Sequence, residues 1–406
     1  MNPVSRSVTS HSSHSADTII IGASIAGLHA ATLLANGGAT VQLFDANDAM
    51  HVQPRTLIAT AQLAEALGYF PREAVVNEVR TIELCAAGRA VKVELAKADL
   101  IVERATLIPL LAKKALAAGV KLHTGHKFLG FEANGDGVKA LIQDKTDKRV
   151  HEFHTRRLVG ADGAFSQVAS AARMNGQPRV PLLQAIVDLP RGFDASNVSV
   201  WFEPEQTRYF YWLIPESKTK AAVGFIADES SSAKKKLERF LTARGLTAAQ
   251  IQAAWIPLST PAHKPWRKIS GCDIYLVGDA AGHVKVTTVG GLVPGLWGAR
   301  AAADSILKKI PYRTALRPLN RELWLHDLIR RVLNRFRPAD YDQLLHAVDR
   351  STARLLGRYN RDELTALALK LVFTQPRLLS FLPRLIGSVK IAPTLAEPEP
   401  AQSVIP

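Results

Sequence analysis

Cysteine is nearly absent from this chain: two in 406 residues, Cys85 and Cys272, far apart and in no metal-type spacing. That excludes a disulfide framework and points to a reducing compartment. No stretch of about 18 uncharged apolar residues exists, so no transmembrane helix is expected. Two histidine pairs, His123 with His126 and His151 with His154, are spaced three apart. On a strand that spacing turns the side chains to opposite faces, so no metal site is expected. There is no RNP sequence, no paired Cys/His finger and no basic run interleaved with aromatics, which argues against nucleic acid as a partner. Internal repeats are missing too. Residues 1–16 (MNPVSRSVTSHSSHSA) have no apolar run and lack the h-region of a secretory signal. They read as a disordered arm on a cytoplasmic protein.

What is present is a chain long enough for two lobes, with a net charge of +15. The cations gather late in the sequence. An anionic membrane surface or a phosphate-bearing ligand would account for them.

The chain is organised around TIIIGASIAGLHAATLLANGGATVQLFD, residues 18–45. It reads as strand, tight turn, helix, turn and second strand. Gly22 permits the sharp turn, Ser24 is small enough for a pyrophosphate to approach, and Gly27 lets helix and strand pack closely. Asp45 stands at the spacing that places a carboxylate on a ribose hydroxyl. This is the dinucleotide fingerprint with Ser in place of its second glycine. The helix start offers free N–H groups to the phosphates.

Further along, a helix is expected from Leu57 to Leu67, a hairpin over Thr81–Leu95 that turns at 86–88, and a helix over Leu107–Ala118. Residues 181–269 hold short, aromatic, β-rich pieces that predict an inserted antiparallel sheet. The fold class is α/β. A Rossmann-like dinucleotide-binding domain is expected over 17–75, 100–180 and 270–316. A β-sheet substrate domain is expected over 76–99 and 181–269. Helices are expected over 317–392 and a disordered tail over 393–406.

Two more strand ends open onto acids. Asp162-Gly163 follows the strand around Arg157–Val159, and Asp279 follows the strand 274–278. Ligands of open α/β sheets sit at the carboxyl ends of strands. Three such sites on three strands suggest one extended ligand. Asp279 could bond a polyhydroxyl chain, and Gly290-Gly291 could bring amides against a ring carbonyl.

Together these residues resemble the FAD-dependent geranylgeranyl reductase family, within the para-hydroxybenzoate hydroxylase-type flavoproteins. The resemblance rests on the fingerprint, Val102-Glu103-Arg104, LVGADGAFSQVA at 158–169, LVGDAAGHVKVTTVGGL at 276–292 and Phe210-Tyr211-Trp212-Leu213-Ile214-Pro215. It implies FAD as cofactor. Gly22, Ser24 and Gly27 would hold the pyrophosphate and Asp45 the adenosine ribose. Arg104 would lie along the cofactor, Asp162 and Gly163 near the adenosine side, and Asp279 on the ribityl chain. Gly290, Gly291 and Leu292 would line the flavin ring. The chain departs from the family pattern at Val286, where Pro is usual, and at Val289, where Gly is common.

The activity this implies is hydride transfer from reduced flavin to a carbon–carbon double bond of an apolar or lipid, isoprenoid-type substrate. Trp201, Phe210 and Trp212 are the expected pocket wall. Tyr209, Tyr211 and His283 are the candidate proton donors. His283 and Lys285 are candidate cations beside the reduced flavin. There is no second glycine fingerprint, so the electron donor is NAD(P)H bound transiently or a reduced protein. The rivals are a flavin monooxygenase or halogenase, and a lipid-binding flavoprotein with weak catalysis. Leu369–Ile386, with Arg377 and Arg384, suggests peripheral membrane contact through the basic C-terminal helices.

Overall fold

The computed structural model describes residues 14–374, apart from 175, 261 and 262, together with Phe381. The expected tail at 393–406 and residues 1–13 of the expected arm lie outside the described residues, as do Arg377 and Arg384. His14–Ser15, assigned to the arm from composition, instead pair in parallel with Phe153 and His154.

A six-stranded sheet runs in the order Trp266–Ile269, Cys272–Leu276, Arg157–Gly160, Thr18–Ile21, Val41–Phe44, Lys121–His123. All its pairings are parallel except that of Trp266–Ile269 with its neighbour. Its central strands read as unbroken apolar runs because both faces are covered. Ile20, Leu43 and Val159 face the helices Ile25–Asn36 and Leu292–Lys308. Ile19, Ile21, Phe44 and Leu158 face a four-stranded sheet through Phe128, Ile142 and Phe153.

An eight-stranded sheet forms the second layer system, in the order Ala248–Pro257, Arg179–Asp188, Lys220–Ile226, Tyr211–Pro215, Asn197–Trp201, Val75–Ala86, Arg89–Glu103, Thr56–Ala59. It is not purely antiparallel as expected: Asn197–Trp201 runs parallel to Val75–Ala86. The hairpin Val75–Ala86/Arg89–Glu103 turns at Ala87-Gly88, as its alternation predicted. The expected helix Leu57–Leu67 is a correction. Thr56–Ala59 is a strand paired with Leu100–Glu103, and only Gln62–Leu67 is helical. Its apolar run is short enough to serve either state, and pairing with the neighbouring strand decided it.

Strand alternation splits this sheet into two faces. Tyr211, Leu213 and Phe225 pack on the helix Ser230–Thr242. Trp212, Ile214 and Ile226 face the loop that carries Val284 and Val289. The helices Arg317–Leu333, Pro338–Ala347, Arg350–Arg358 and Leu364–Thr374 close that side. Arg330 is buried there. Its guanidinium donates to the carbonyls of Val286 (2.9 Å), Thr287 (2.8 Å) and Arg208 (2.9 Å).

The histidine pair His123/His126 also departs from expectation. The two residues end one strand and begin the next, so their rings meet edge-on at 5.5 Å between centroids. Among the described residues no group of three or more His, Cys, Asp or Glu could hold a metal ion.

Three other histidines carry a pH dependence. His29, His283 and His326 are buried, and burial lowers their pKa values to about 4, 3 and 3. Each is neutral in the fold and takes up a proton on unfolding below about pH 6.5. The unfolded chain then binds more protons, so stability is full above that pH and falls as pH drops toward the folded values. The expected loss is about 1.4 kcal/mol per histidine per pH unit. Urea midpoints should therefore drop steeply on acidification below neutrality. A midpoint that holds steady would show that these rings titrate freely in the fold.

Candidate functional site

The site begins at the fingerprint turn. Gly22 has φ +105, and a Cβ there would overlap the Ala161 carbonyl. A Cβ at Gly27 would overlap the Gly22 carbonyl. Both positions therefore require glycine. Ser24 does not: its φ is −72, and it N-caps the helix Ile25–Asn36 by accepting the Gly27 N–H at 3.2 Å. A serine fits here because the position needs a cap and small size, not a positive φ. The amides of Ile25 and Ala26, the two helical positions before Gly27, have no intrahelical partner, and both residues line a cavity described below. Asp45 accepts the Ala23 N–H at 2.6 Å and the Asn47 N–H at 2.7 Å, which fixes its carboxylate across the turn.

Asp162 is likewise braced, by Ser166 Oγ at 2.6 Å and the N–H groups of Gln167 (2.6 Å) and Val168 (3.1 Å). With Gly22, Ser24, Asp45, Arg104 and Gly163 it lines a cavity of about 680 Å³. A second cavity, of about 700 Å³, adjoins the first through Ser24, Arg104, Ala161 and Gly163, which line both. Asp279, Gly290, Gly291 and Leu292 lie in this second space. Burial pushes the Asp279 carboxyl above its ordinary value, and the guanidiniums of Arg55 and Arg104 oppose that rise. The expected footprint thus forms one continuous path from Asp45 to Leu292.

The far wall of the second cavity is the apolar face of the eight-stranded sheet, including Phe210, Trp212, Val200 and Ile226. Two polar atoms on this lining, Trp212 Nε1 and Thr288 Oγ1, are buried without a hydrogen-bond partner among the described residues. Between Thr288 and Gly290 stands Val289, at φ +54. A β-branched residue in the left-handed region is strained.

Comparison with known proteins adds to this geometry. The sequence profile of a family described as FAD binding domain matches residues 15–296. The chain belongs to that family. The digeranylgeranylglycerophospholipid reductase of Methanocaldococcus jannaschii is 23% identical over 372 residues, covering 87% of this chain and 89% of that one. The geranylgeranyl diphosphate reductase of Rhodobacter capsulatus is 25% identical over 299 residues, covering 72% and 75%. A geranylgeranyl bacteriochlorophyll reductase-like structure from Thermoplasma acidophilum superposes with a TM-score of 0.77 at 16% identity, covering 92% of this chain and 100% of that one. This protein is an FAD-dependent oxidoreductase, similar to the geranylgeranyl reductases.

The site fits the cofactor. Gly22 and Gly27 leave the cradle open. The helix start supplies amides to a pyrophosphate, and the two adjoining cavities match an elongated dinucleotide. Sequence reasoning missed Arg55. It neighbours Asp279 in the second cavity, and burial lowers its pKa against the pull of that carboxylate. The loop Gln53-Pro54-Arg55 was visible in the sequence, but nothing in it signalled that the chain returns to Asp279.

Five of the predicted donor, wall and cation residues are not brought to the cavity. Tyr211 stacks on Phe240 at 4.0 Å, and Trp201 packs edge-on to the same ring at 5.4 Å, both on the opposite sheet face. Tyr209 lies under the Arg330 guanidinium at 4.7 Å. His283 packs against Gly298, and neither ring nitrogen has a hydrogen-bond partner among the described residues. Neutral and walled in, it is poorly placed as a proton donor or as a cation beside the flavin. Lys285 is paired with Asp362 at 2.5 Å, so its charge is compensated. Strand alternation sent Trp201 and Tyr211 to one face of the sheet and Trp212 to the other.

Proposed function

We propose that the protein reduces carbon–carbon double bonds of an apolar, isoprenoid-type substrate. The observation that carries this is the apolar sheet face opposite Gly290–Leu292, bounding a space of about 700 Å³. That is within the roughly 300–1,000 Å³ of ordinary ligand pockets. The names of the relatives support the same reading. Reduced FAD, when bound, supplies the hydride. The chain's own contribution is to hold the cofactor along the Asp45–Leu292 path and to keep water from the apolar wall. The helix Leu292–Lys308 begins at that loop, so its positive end lies at the residues that would face the ring. The electron donor is NAD(P)H in transient contact or a reduced protein. Anaerobic incubation of the reduced holoenzyme with geranylgeranyl lipids tests the reading. Product gaining two hydrogens per double bond is expected. Product formed only with oxygen or halide, and carrying those atoms, would make the protein a monooxygenase or halogenase. Tight lipid binding without turnover would leave the lipid-binding rival.

Membrane contact is part of the same proposal. No helix among the described residues is long and apolar enough to cross a membrane. The helix Arg317–Leu333 instead exposes Arg317, Arg321 and Trp324, the last at 56%. Leu369, 61% exposed, and Lys370 lie on the helix packed beside it. Glu322 is occupied in accepting the Thr365 N–H, and Asp327 is paired with Arg331. A tryptophan among exposed arginines suits an anionic lipid surface. The protein should cosediment with phosphatidylglycerol vesicles and not with phosphatidylcholine. Arg321→Glu combined with Trp324→Ala should release it. Equal binding to both lipids, or unaltered binding by that variant, would reject this face.

A further inference from the structure

The strained loop is held from behind. Val289 keeps its left-handed φ of +54 while its N–H donates to the Lys285 carbonyl at 2.7 Å, and the Lys285 N–H donates to Gly290 at 3.1 Å. Strain of this kind persists only where the surroundings over-determine the conformation. The Lys285 side chain passes directly behind Gly290: a Cβ built there would stand 3.4 Å from Lys285 Cε. It ends in the pair with Asp362, with side chains 7% and 5% exposed. Thr60 also donates to Asp362, at 2.7 Å. Neither Lys285 nor Asp362 is among the residues lining the second cavity, but Gly290 on one side and Arg361 and Glu363 on the other are. The pair therefore joins the backs of two walls. The preceding residue, Arg361, is pinned in turn to Asp99 at 2.5 Å.

We propose that Lys285, through its ion pair with Asp362, is a positioning residue that couples the flavin-facing loop to the C-terminal segment closing the apolar cavity. The segment 359–363 seats against the sheet, and Asp362 holds Lys285. Lys285 in turn holds the Val289–Gly290 turn in the shape that receives the ring. The inference rests on FAD binding at this loop and not on the identity of the substrate. A buried pair broken on one side leaves a stranded charge, so single substitutions act strongly, and a double substitution isolates the coupling.

The test is FAD affinity and amide hydrogen exchange of the full chain, for Asp362→Asn, Lys285→Met and both together. Asp362→Asn should weaken FAD binding at least tenfold and speed exchange at 284–292 as well as at 359–363. In the Lys285→Met background the same change should add less than twofold. Lys285→Arg should recover most of the affinity. FAD affinity within twofold of the parent, or losses that simply multiply, would overturn the coupling. If a single variant fails to fold, Lys285→Met with Asp362→Leu, which strands no charge, carries the test. Faster exchange at 284–292 with weaker FAD binding supports the coupling, and parental values reject it. None of these readouts uses a substrate, so they stand or fall apart from the proposed reduction.

Discussion

Ser24→Leu is expected to abolish FAD binding while leaving the chain folded. Ser24 lines both cavities at their junction, where the proposed path of the pyrophosphate crosses. Its φ of −72 accepts any L residue, so the backbone does not resist the change. A leucine side chain would instead occupy the passage between the two spaces. Loss of the cap to the Gly27 N–H costs about 1 kcal/mol, too little to unfold a chain of this size. Ser24→Gly separates the two effects: it gives up the side-chain bond, costs only a few tenths of a kcal/mol, and should keep FAD. Flavin content after purification, beside melting temperature, reads both. A Leu variant that retained full FAD would show that the pyrophosphate does not pass over this turn.

Arg330→Leu is expected to cost on the order of 3 kcal/mol of stability. Its guanidinium satisfies three carbonyls, one in a buried bond and two in part-buried ones, with two of them on the loop before Val289, and it lies over the Tyr209 ring at 4.7 Å. Each orphaned buried carbonyl costs roughly 1–3 kcal/mol, partly offset because the arginine's own burial penalty also disappears. Two of the freed carbonyls, Val286 and Thr287, belong to the loop proposed to face the flavin, so FAD affinity should fall as well. Urea unfolding gives the stability change and a flavin titration gives the second. A loss below about 1 kcal/mol would mean that water replaces the guanidinium at all three carbonyls.

The first cavity was legible in the sequence because its requirements are local. Gly22, Ser24, Gly27 and Asp45 lie within one strand–helix–strand unit, and each residue type answers a constraint set by its neighbours. Asp162 and Asp279 were found by the same logic at two more strand ends. The second cavity was less legible because it is built from distant segments. Whether Tyr211 or Trp212 faced it depended on strand register, which composition does not fix. Arg55 became a neighbour of Asp279 only because 56–59 pairs as a strand, where the apolar run had suggested a helix. The Lys285–Asp362 pair spans 77 residues, and Arg361–Asp99 spans 262. No periodicity announces such pairs. Val289 was visible only as a departure from the family pattern, and its positive φ supplies the physical reason that glycine suits the position.

The central claim is that one FAD occupies the path from Asp45 to Leu292, with its ring against an apolar cavity. The most direct measurement is the visible spectrum of the purified full chain, with mass spectrometry of what it releases. The account predicts a yellow protein carrying about one FAD per chain, with an apolar lipid released alongside it. A colourless protein that takes up no FAD on reconstitution would contradict it.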